Sequence, residues 1–479
     1  MQTTYVVIFV LYCLVSLAIG LWANRKTASM ESFLVADRNL GVLPTSMAYY
    51  STAQSSSAFL GSVGWAYAEG WVSNSYTSIP IAFGALLAWM LLAKRVRALV
   101  GEAKALTIPD LLSFRFPSKW IRLISLTIII IAYIPAMIAQ IKGCGTLVQS
   151  VFPNMDFKYA ALVGLTIVCV YVMIGGMKAV AYTDVVQGFL MIGSVIVLVM
   201  ASLAAVGGFT QMNLQAEAIA PGMTGVMGVD NIWGPGYSLS FALLFLLSPL
   251  GQPSYIAKFF AMKSEKVARY AMPLSYTFVF IASVSFPIIG LCARVLHPNL
   301  SNPDSAFTVM ATSVLPPVMG AVVLVALFAA VMSTMDAMFL NITGAVVRDF
   351  YEQLLGKKPS QKFLLRASVI TAVVAYVLTL NTTGAIALIG SMSTGLLGAS
   401  FSVVVVGGLY SKKMTTQAAI AAMLAGFFGT VLTTKGVVLD HLLFGMNAFI
   451  YGFIAAIVAA VVVTALTNKD GIDQTISNT

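Results

Sequence analysis

The chain has 479 residues, of which 59% are hydrophobic and only 9% charged, with a mean hydropathy of +0.92. Soluble globular domains carry about 25% charged residues, so this composition excludes a soluble enzyme or signalling domain and specifies a polytopic helical membrane protein. The net charge of +10 sits in short segments between apolar runs, where it orients the chain rather than binding nucleic acid. Four scattered cysteines with no CxxC and no Cys/His cluster argue against disulfides and soft-metal sites, and no phosphate-binding glycine loop marks an ATP site.

The first apolar run, residues 5–23, has no basic residue before it and Arg25-Lys26 after it. A signal peptide shows the opposite charge order, so this run predicts an uncleaved first helix with the N-terminus outside. Further apolar runs predict spans at 41–67, 76–93, 121–150, 159–175, 183–206, 236–257, 270–296, 318–345, 366–381, 384–410, 416–433 and 443–466. The expectation is an all-α protein with about 13 transmembrane helices. With that count, every one of the 27 lysines and arginines except Lys142, Lys158, Arg294 and Lys435 falls on the inner side, as the positive-inside rule requires. One span more or fewer would scramble the asymmetry. The C-terminus is therefore expected inside. His297, His441 and the Asn-x-Ser/Thr sequences at Asn299 and Asn381 fall in predicted outer loops.

Two spans look interrupted. Span 41–67 carries Tyr49-Tyr50-Ser51-Thr52-Ala53-Gln54-Ser55-Ser56-Ser57 at mid-membrane, and span 236–257 carries Ser248-Pro249-Leu250-Gly251-Gln252-Pro253. Proline removes a backbone donor and breaks a helix. In a bilayer, broken backbone persists only where it is buried in protein or lines a cavity. Either segment alone would also fit a serine-rich packing face or an ordinary proline kink. Four intact spans separate them, however, so each opens a five-helix unit and the second unit is inverted relative to the first. That is the repeat logic of secondary transporters, in which freed carbonyls coordinate sodium and half-helix N-termini face an anionic substrate.

Further along, Ser333-Thr334-Met335-Asp336 lies inside the apolar run 318–347. Asp336 stands about 18 Å along the helix from Arg348 at its inner end. An ionised Asp at the bilayer centre costs about 2.5 kcal/mol or more, so it should face a partner, a cation or water. These side chains offer only hard oxygens with no Cys or His nearby, which suits sodium and not zinc, copper or iron. The hydroxyls alone would equally serve close helix packing. Asp184 follows the turn Gly175-Gly176-Met177-Lys178, where an acid can cap a helix N-terminus. Lys142, about two turns from the outer end of its span, either snorkels or meets a substrate carboxylate.

These segments make the chain similar to the sodium/solute symporter family, the group of bacterial proline and pantothenate symporters and animal sodium–glucose transporters. The resemblance is carried by Phe33-Leu34-Val35-Ala36-Asp37-Arg38-Asn39-Leu40-Gly41, by Leu106-Thr107-Ile108-Pro109-Asp110 with Arg115-Phe116, and by Gly175-Gly176 followed by Tyr182-Thr183-Asp184 and Gln187-Gly188. Gly251-Gln252-Pro253 and Ala329-Ala330-Val331-Met332-Ser333-Thr334 with Asp349-Phe350-Tyr351 complete it. It implies a five-plus-five inverted-repeat core with flanking helices. It also implies a main sodium site built from the backbone carbonyls of Ser51, Gln54 and Ala330 and the hydroxyls of Ser333 and Thr334. Some members hold a second cation where Asp184 and Asp336 stand here. Relatives usually carry Ser or Thr at the second position, so Asp336 departs from the pattern and admits either sodium or a proton. Proline symporters carry aromatic residues before their Gly-Gln-Pro. Here Phe245 stands at one such place and Pro249 at the other, which does not support proline. Ser55, Ala58, Lys142, Phe245 and Gln252 are the expected substrate-facing residues.

The expected layout is a peripheral helix and inner loop (1–40), a first repeat (41–206), an outer loop (207–235), a second repeat (236–410), and two final helices with a short cytoplasmic tail (411–479). The expected function is sodium-coupled import of a small organic solute, amino acid or monocarboxylate-like and so potentially anionic, across the plasma (inner) membrane by alternating access. Proton coupling through Asp336 and Asp184 is the alternative within the same fold. A channel would show symmetric subunits or a ring of filter residues, a receptor an appended domain, and an intramembrane enzyme a catalytic set; none is visible. The expected partners are sodium, the solute and the bilayer, with no ATP and no nucleic acid.

Overall fold

Within a bilayer no water satisfies a free amide or carbonyl, so long apolar runs must close their backbone bonds internally as helices. The computed structural model describes residues 2–24, 29–152, 154–229, 234–357, 361–435, 437–439 and 445–468. Among these residues there is no strand, only one isolated parallel bridge between Leu40 and Met262. Arg25, Lys26, Lys358, His441, Lys469 and the tail past Asn468 lie outside the described residues.

Ten helices among the described residues are long and apolar enough to cross a membrane, and each coincides with an expected span. Three other expected spans take different forms. Residues 41–67 split into Val42–Ala53 and Val63–Glu69. Residues 159–175 form the front of one 50-residue helix, Phe157–Val206, bent at Gly176. Residues 366–381 fall in Gln361–Leu380, whose apolar stretch Val369–Leu380 is short. The bend needs glycine twice over. Gly176 adopts φ 60° and ψ −171°, a region open to few other residues, and a Cβ there would stand 2.7 Å from the Phe33 ring. Asp184 lies well inside the second arm of this helix, so the capping role expected for it does not hold.

Burial orders the helices from centre to lipid. In Pro317–Leu354, 83% of the most apolar stretch is buried within the protein, against 17% in Thr3–Trp22 and 22% in Ala448–Thr467. The serine–threonine helix is therefore central and the two terminal helices are peripheral. The N-terminal helix still docks on the central one, with Phe9 and Tyr12 set edge-on to Phe328 at ring distances of 4.8 and 6.3 Å.

Both predicted breaks are real. The first half-helix stops at Gln54, whose φ of −98° and ψ of 82° leave the helical region. The chain then re-enters a helix through a wide turn at Ser57–Ser62. The second broken helix runs Pro235–Leu247, a tight turn Ser248–Gly251, an extended Gln252, and Pro253–Phe260. Side chains replace the lost backbone partners. The Ser56 amide donates to Gln140 Oε1 at 3.1 Å, and the Ser254 amide donates to the Tyr133 hydroxyl at 3.0 Å. Gln140 and Tyr133 lie on one face of the helix Lys119–Val151, so a single helix serves both breaks.

An ionic network ties together one end of the bundle. Arg122 donates to Asp110 and to Asp349 at 2.6 Å each, Arg348 donates to Asp110 at 3.1 Å and to Glu352 at 2.6 Å, and the Thr107 hydroxyl donates to Asp349 at 3.0 Å. Two segments that read separately in the sequence, around Asp110 and around Asp349, meet here. Asp349 is fully buried, and removing one partner of a buried pair costs about 3–5 kcal/mol. Arg122→Ala should therefore lower the unfolding temperature of the protein in lipid nanodiscs well beyond the effect of Arg122→Lys, which keeps the charge. Equal unfolding temperatures for wild type and Arg122→Ala would contradict this.

Candidate functional site

The last four carbonyls of a helix have no intrahelical donor, and the half-helix Val42–Ala53 leaves Ser51 among them. The neighbouring helix fills that need. The Ser333 hydroxyl donates to the Ser51 carbonyl at 3.0 Å and to the Ala330 carbonyl of its own helix at 3.1 Å. Thr334, next in the chain, keeps a buried hydroxyl with no hydrogen-bond partner among the described residues. The structure thus brings Ser51, Ala330 and Ser333 into direct contact and leaves the Thr334 oxygen unspent beside them. Gln54 ends the same half-helix. Its amide bonds to the Tyr50 carbonyl at 3.1 Å, and its side-chain nitrogen is buried without a partner among the described residues. No hydrogen bond links Gln54 to Ser333 or Thr334 among the described residues. The donor set is hard oxygen only, which fits sodium.

Ser51 also reaches the other way. Its hydroxyl donates to Asp184 Oδ1 at 2.7 Å, and Lys258 Nζ donates to Asp184 Oδ2 at 3.3 Å, with both side chains of that ion pair fully buried. Asp336 is equally buried, and neither of its oxygens has a hydrogen-bond partner among the described residues. Its charged neighbours are Asp184 and Lys258. Both acids expected to frame a second cation site stand within electrostatic reach of Lys258, which pairs directly with Asp184.

Lys258 corrects the sequence reading, which puts it among the inner loop charges. The helix restarting at Pro253 carries Lys258 inside the protein, and the residues after it, Phe259, Phe260, Ala261 and Met262, are all buried. That apolar continuation past a lone lysine is the signal in the sequence that it belongs to the interior.

Between the breaks lies a cavity of about 120 Å³. Ser55, Ala58, Phe245 and Gln252 line it, as expected, and so does Thr334, which makes the cavity and the oxygen cluster neighbours. Trp65, Tyr133, Gln140 and Tyr255 add lining that sequence reading misses. For Tyr133 and Gln140 the available signal is their seven-residue spacing on one face of an apolar helix. Among the described residues, no Lys, Arg, His, Asp or Glu lines the cavity. Lys142 does not reach it. Its ammonium donates to the Gly384 carbonyl at 2.6 Å with the Asp304 carboxylate nearby, so of the two roles left open for Lys142 the geometry places it outside the cavity wall.

Comparison with known proteins extends this picture to the whole chain. The sodium:solute symporter family model matches residues 33–426. The sodium/pantothenate symporter of Haemophilus influenzae is 28% identical over 446 residues, covering 90% of this chain and 91% of that protein. The osmoregulated proline transporter OpuE of Bacillus subtilis is 28% identical over 481 residues, covering 96% and 94%. Among solved structures, a Na+-coupled sialic acid symporter in a substrate-bound outward-open state superposes with a TM-score of 0.78 at 16% identity, covering 97% of this chain and 98% of that one. A transporter of the nucleobase-cation-symport-1 family in a closed conformation gives 0.60 at 16% identity, covering 92% and 96%. The fold is that of these symporters, and the chain belongs to the sodium:solute symporter family.

Proposed function

We propose that this multi-pass membrane protein couples sodium, bound at the Ser51, Gln54, Ala330, Ser333 and Thr334 oxygens, to import of a small organic solute held in the cavity between the two broken helices. The observation that carries the reading is the hydroxyl of Ser333 set on the carbonyl freed by the first break. A cation there would add a further link between two helices joined by the Ser333–Ser51 hydrogen bond. Sodium binding then favours the conformation in which the cavity wall at Thr334 is complete, and rocking of the two units exposes both ligands to the inside. The family and the named relatives support sodium as the coupling ion.

The uncharged cavity lining supports a solute whose charges cancel, such as an amino-acid-like zwitterion, over a monocarboxylate that would find no basic side chain there. Serine hydroxyls, the amides of Gln140 and Gln252 and the faces of Trp65 and Tyr255 supply the contacts, and the aromatic faces attract an ammonium group. The charge asymmetry of the loops supports an outside N-terminus and an inside C-terminus, and the two breaks support repeats at 41–206 and 236–410.

Ser333→Ala and Thr334→Ala each remove one of about five oxygens from the cation site. Each should raise the sodium concentration for half-maximal uptake at least about tenfold, a loss of about 1.4 kcal/mol, while substrate affinity at saturating sodium changes little. Sodium activation curves that match wild type in both variants would remove the site assignment.

Lys142→Gln should leave the half-saturating solute concentration within about twofold of wild type, because the ammonium is spent on the Gly384 carbonyl. A tenfold loss of apparent affinity in solute titrations would return Lys142 to the binding site.

A further inference from the structure

The least expected group in the protein is Lys258. A lysine ammonium has three donors, and the bond to Asp184 is the one hydrogen bond it makes among the described residues. Its side chain and that of Asp184 are fully buried, as is Asp336. A buried ion pair is weak evidence for stability, since desolvation offsets the attraction. The position of this pair says more. Asp184 sits between Lys258 and the Ser51 hydroxyl, and the carbonyl of the same Ser51 accepts the Ser333 hydroxyl. The ammonium is thus two hydrogen bonds from the residue that opens the sodium site.

We propose that the Lys258 ammonium is the resident cation of the second site, taking the charge place of a second sodium ion, so that the chain binds a single sodium where its acids would otherwise hold two. The inference rests on the sodium reading of the Ser51–Ser333 cluster.

Charge bookkeeping in the buried region leads to the same place. With both acids ionised, Asp184 and Asp336 bring two negative charges and Lys258 one positive charge. One sodium ion at the Ser51–Ser333 oxygens closes the balance, whereas a second would leave excess positive charge in a dry site, which is costly. Asp336 has a use in this arrangement. It lies three residues past Ser333, on the same helix face, with both oxygens unspent, so it is the counter-charge for the sodium that binds. Asp184 is already answered by Lys258.

A tethered cation differs from a diffusing one in a second respect. Lys258 belongs to the short helix Pro253–Phe260, and Ser254 and Tyr255 of that helix line the cavity. When this half-helix moves, its ammonium moves with it and never leaves the protein. It therefore contributes no sodium to the flux, yet it links the second break to Ser51 at the first.

Equilibrium binding of radioactive sodium-22 to the purified full-length chain in nanodiscs tests this without a known solute. Wild type should bind one sodium per chain, and so should Lys258→Arg, which keeps the charge. Lys258→Met should bind two, with the second lost again in the Lys258→Met, Asp184→Asn double variant. That double variant removes both members of the pair, so neither is left buried without the other. In Lys258→Met, sodium should also raise the unfolding temperature more than it does in wild type, because the ion replaces a missing partner. Two ions bound by wild type would overturn the inference while leaving the sodium site standing, and this measurement needs no variant. A single ion in a folded Lys258→Met protein would overturn it as well. No sodium bound by wild type would overturn the sodium reading itself and this inference with it.

Discussion

Ser51 is bonded on two sides, and the arrangement of the site follows from that. Its carbonyl is free because the half-helix ends at Ala53, and the Ser333 hydroxyl takes it up at 3.0 Å. Its hydroxyl holds Asp184 at 2.7 Å, and Asp184 holds Lys258. In a membrane interior an unmet backbone group costs several kcal/mol, so the break exists only because other helices answer it. The helices that answer are the ones that carry the functional groups.

The same demand explains the role of the helix Lys119–Val151. Gln140 accepts the Ser56 amide at the first break and Tyr133 accepts the Ser254 amide at the second. One helix therefore bonds to both irregular segments, and the cavity lies between them with both residues in its wall. Packing at the second break is tight. A Cβ on Gly251 would stand 2.5 Å from the Ser402 amide nitrogen. Such close backbone contact leaves discrete packed arrangements rather than a continuum.

The sequence made the architecture legible because hydropathy, charge asymmetry and proline position each report a bilayer constraint directly. The positive-inside pattern and the polar cluster at 49–57 locate the spans and the first break, and Ser248-Pro249 and Pro253 locate the second. Ser51, Ala330 and Ser333 do meet, while Gln54 makes no hydrogen bond to Ser333 or Thr334 among the described residues. Charged residues are the least legible, since a charge near a span end has the same local context whether it turns in or out. Lys142 and Lys258 both sit near span ends. The first reaches out to the Gly384 carbonyl and the second turns in to Asp184. Asp184 reads as a cap because it follows a glycine turn, and only the bend at Gly176 shows that it stands mid-helix. Those outcomes depend on helix rotation, which a single sequence does not encode locally.

The central claim is that a sodium gradient drives solute through this cavity. Purified protein in proteoliposomes, given an inward sodium gradient and a panel of labelled amino acids and monocarboxylates, tests it most directly. The account predicts accumulation of at least one amino-acid-like solute above its equilibrium level. That accumulation should collapse with a sodium ionophore and persist when the proton gradient is dissipated. Accumulation that follows the proton gradient and ignores sodium would contradict it.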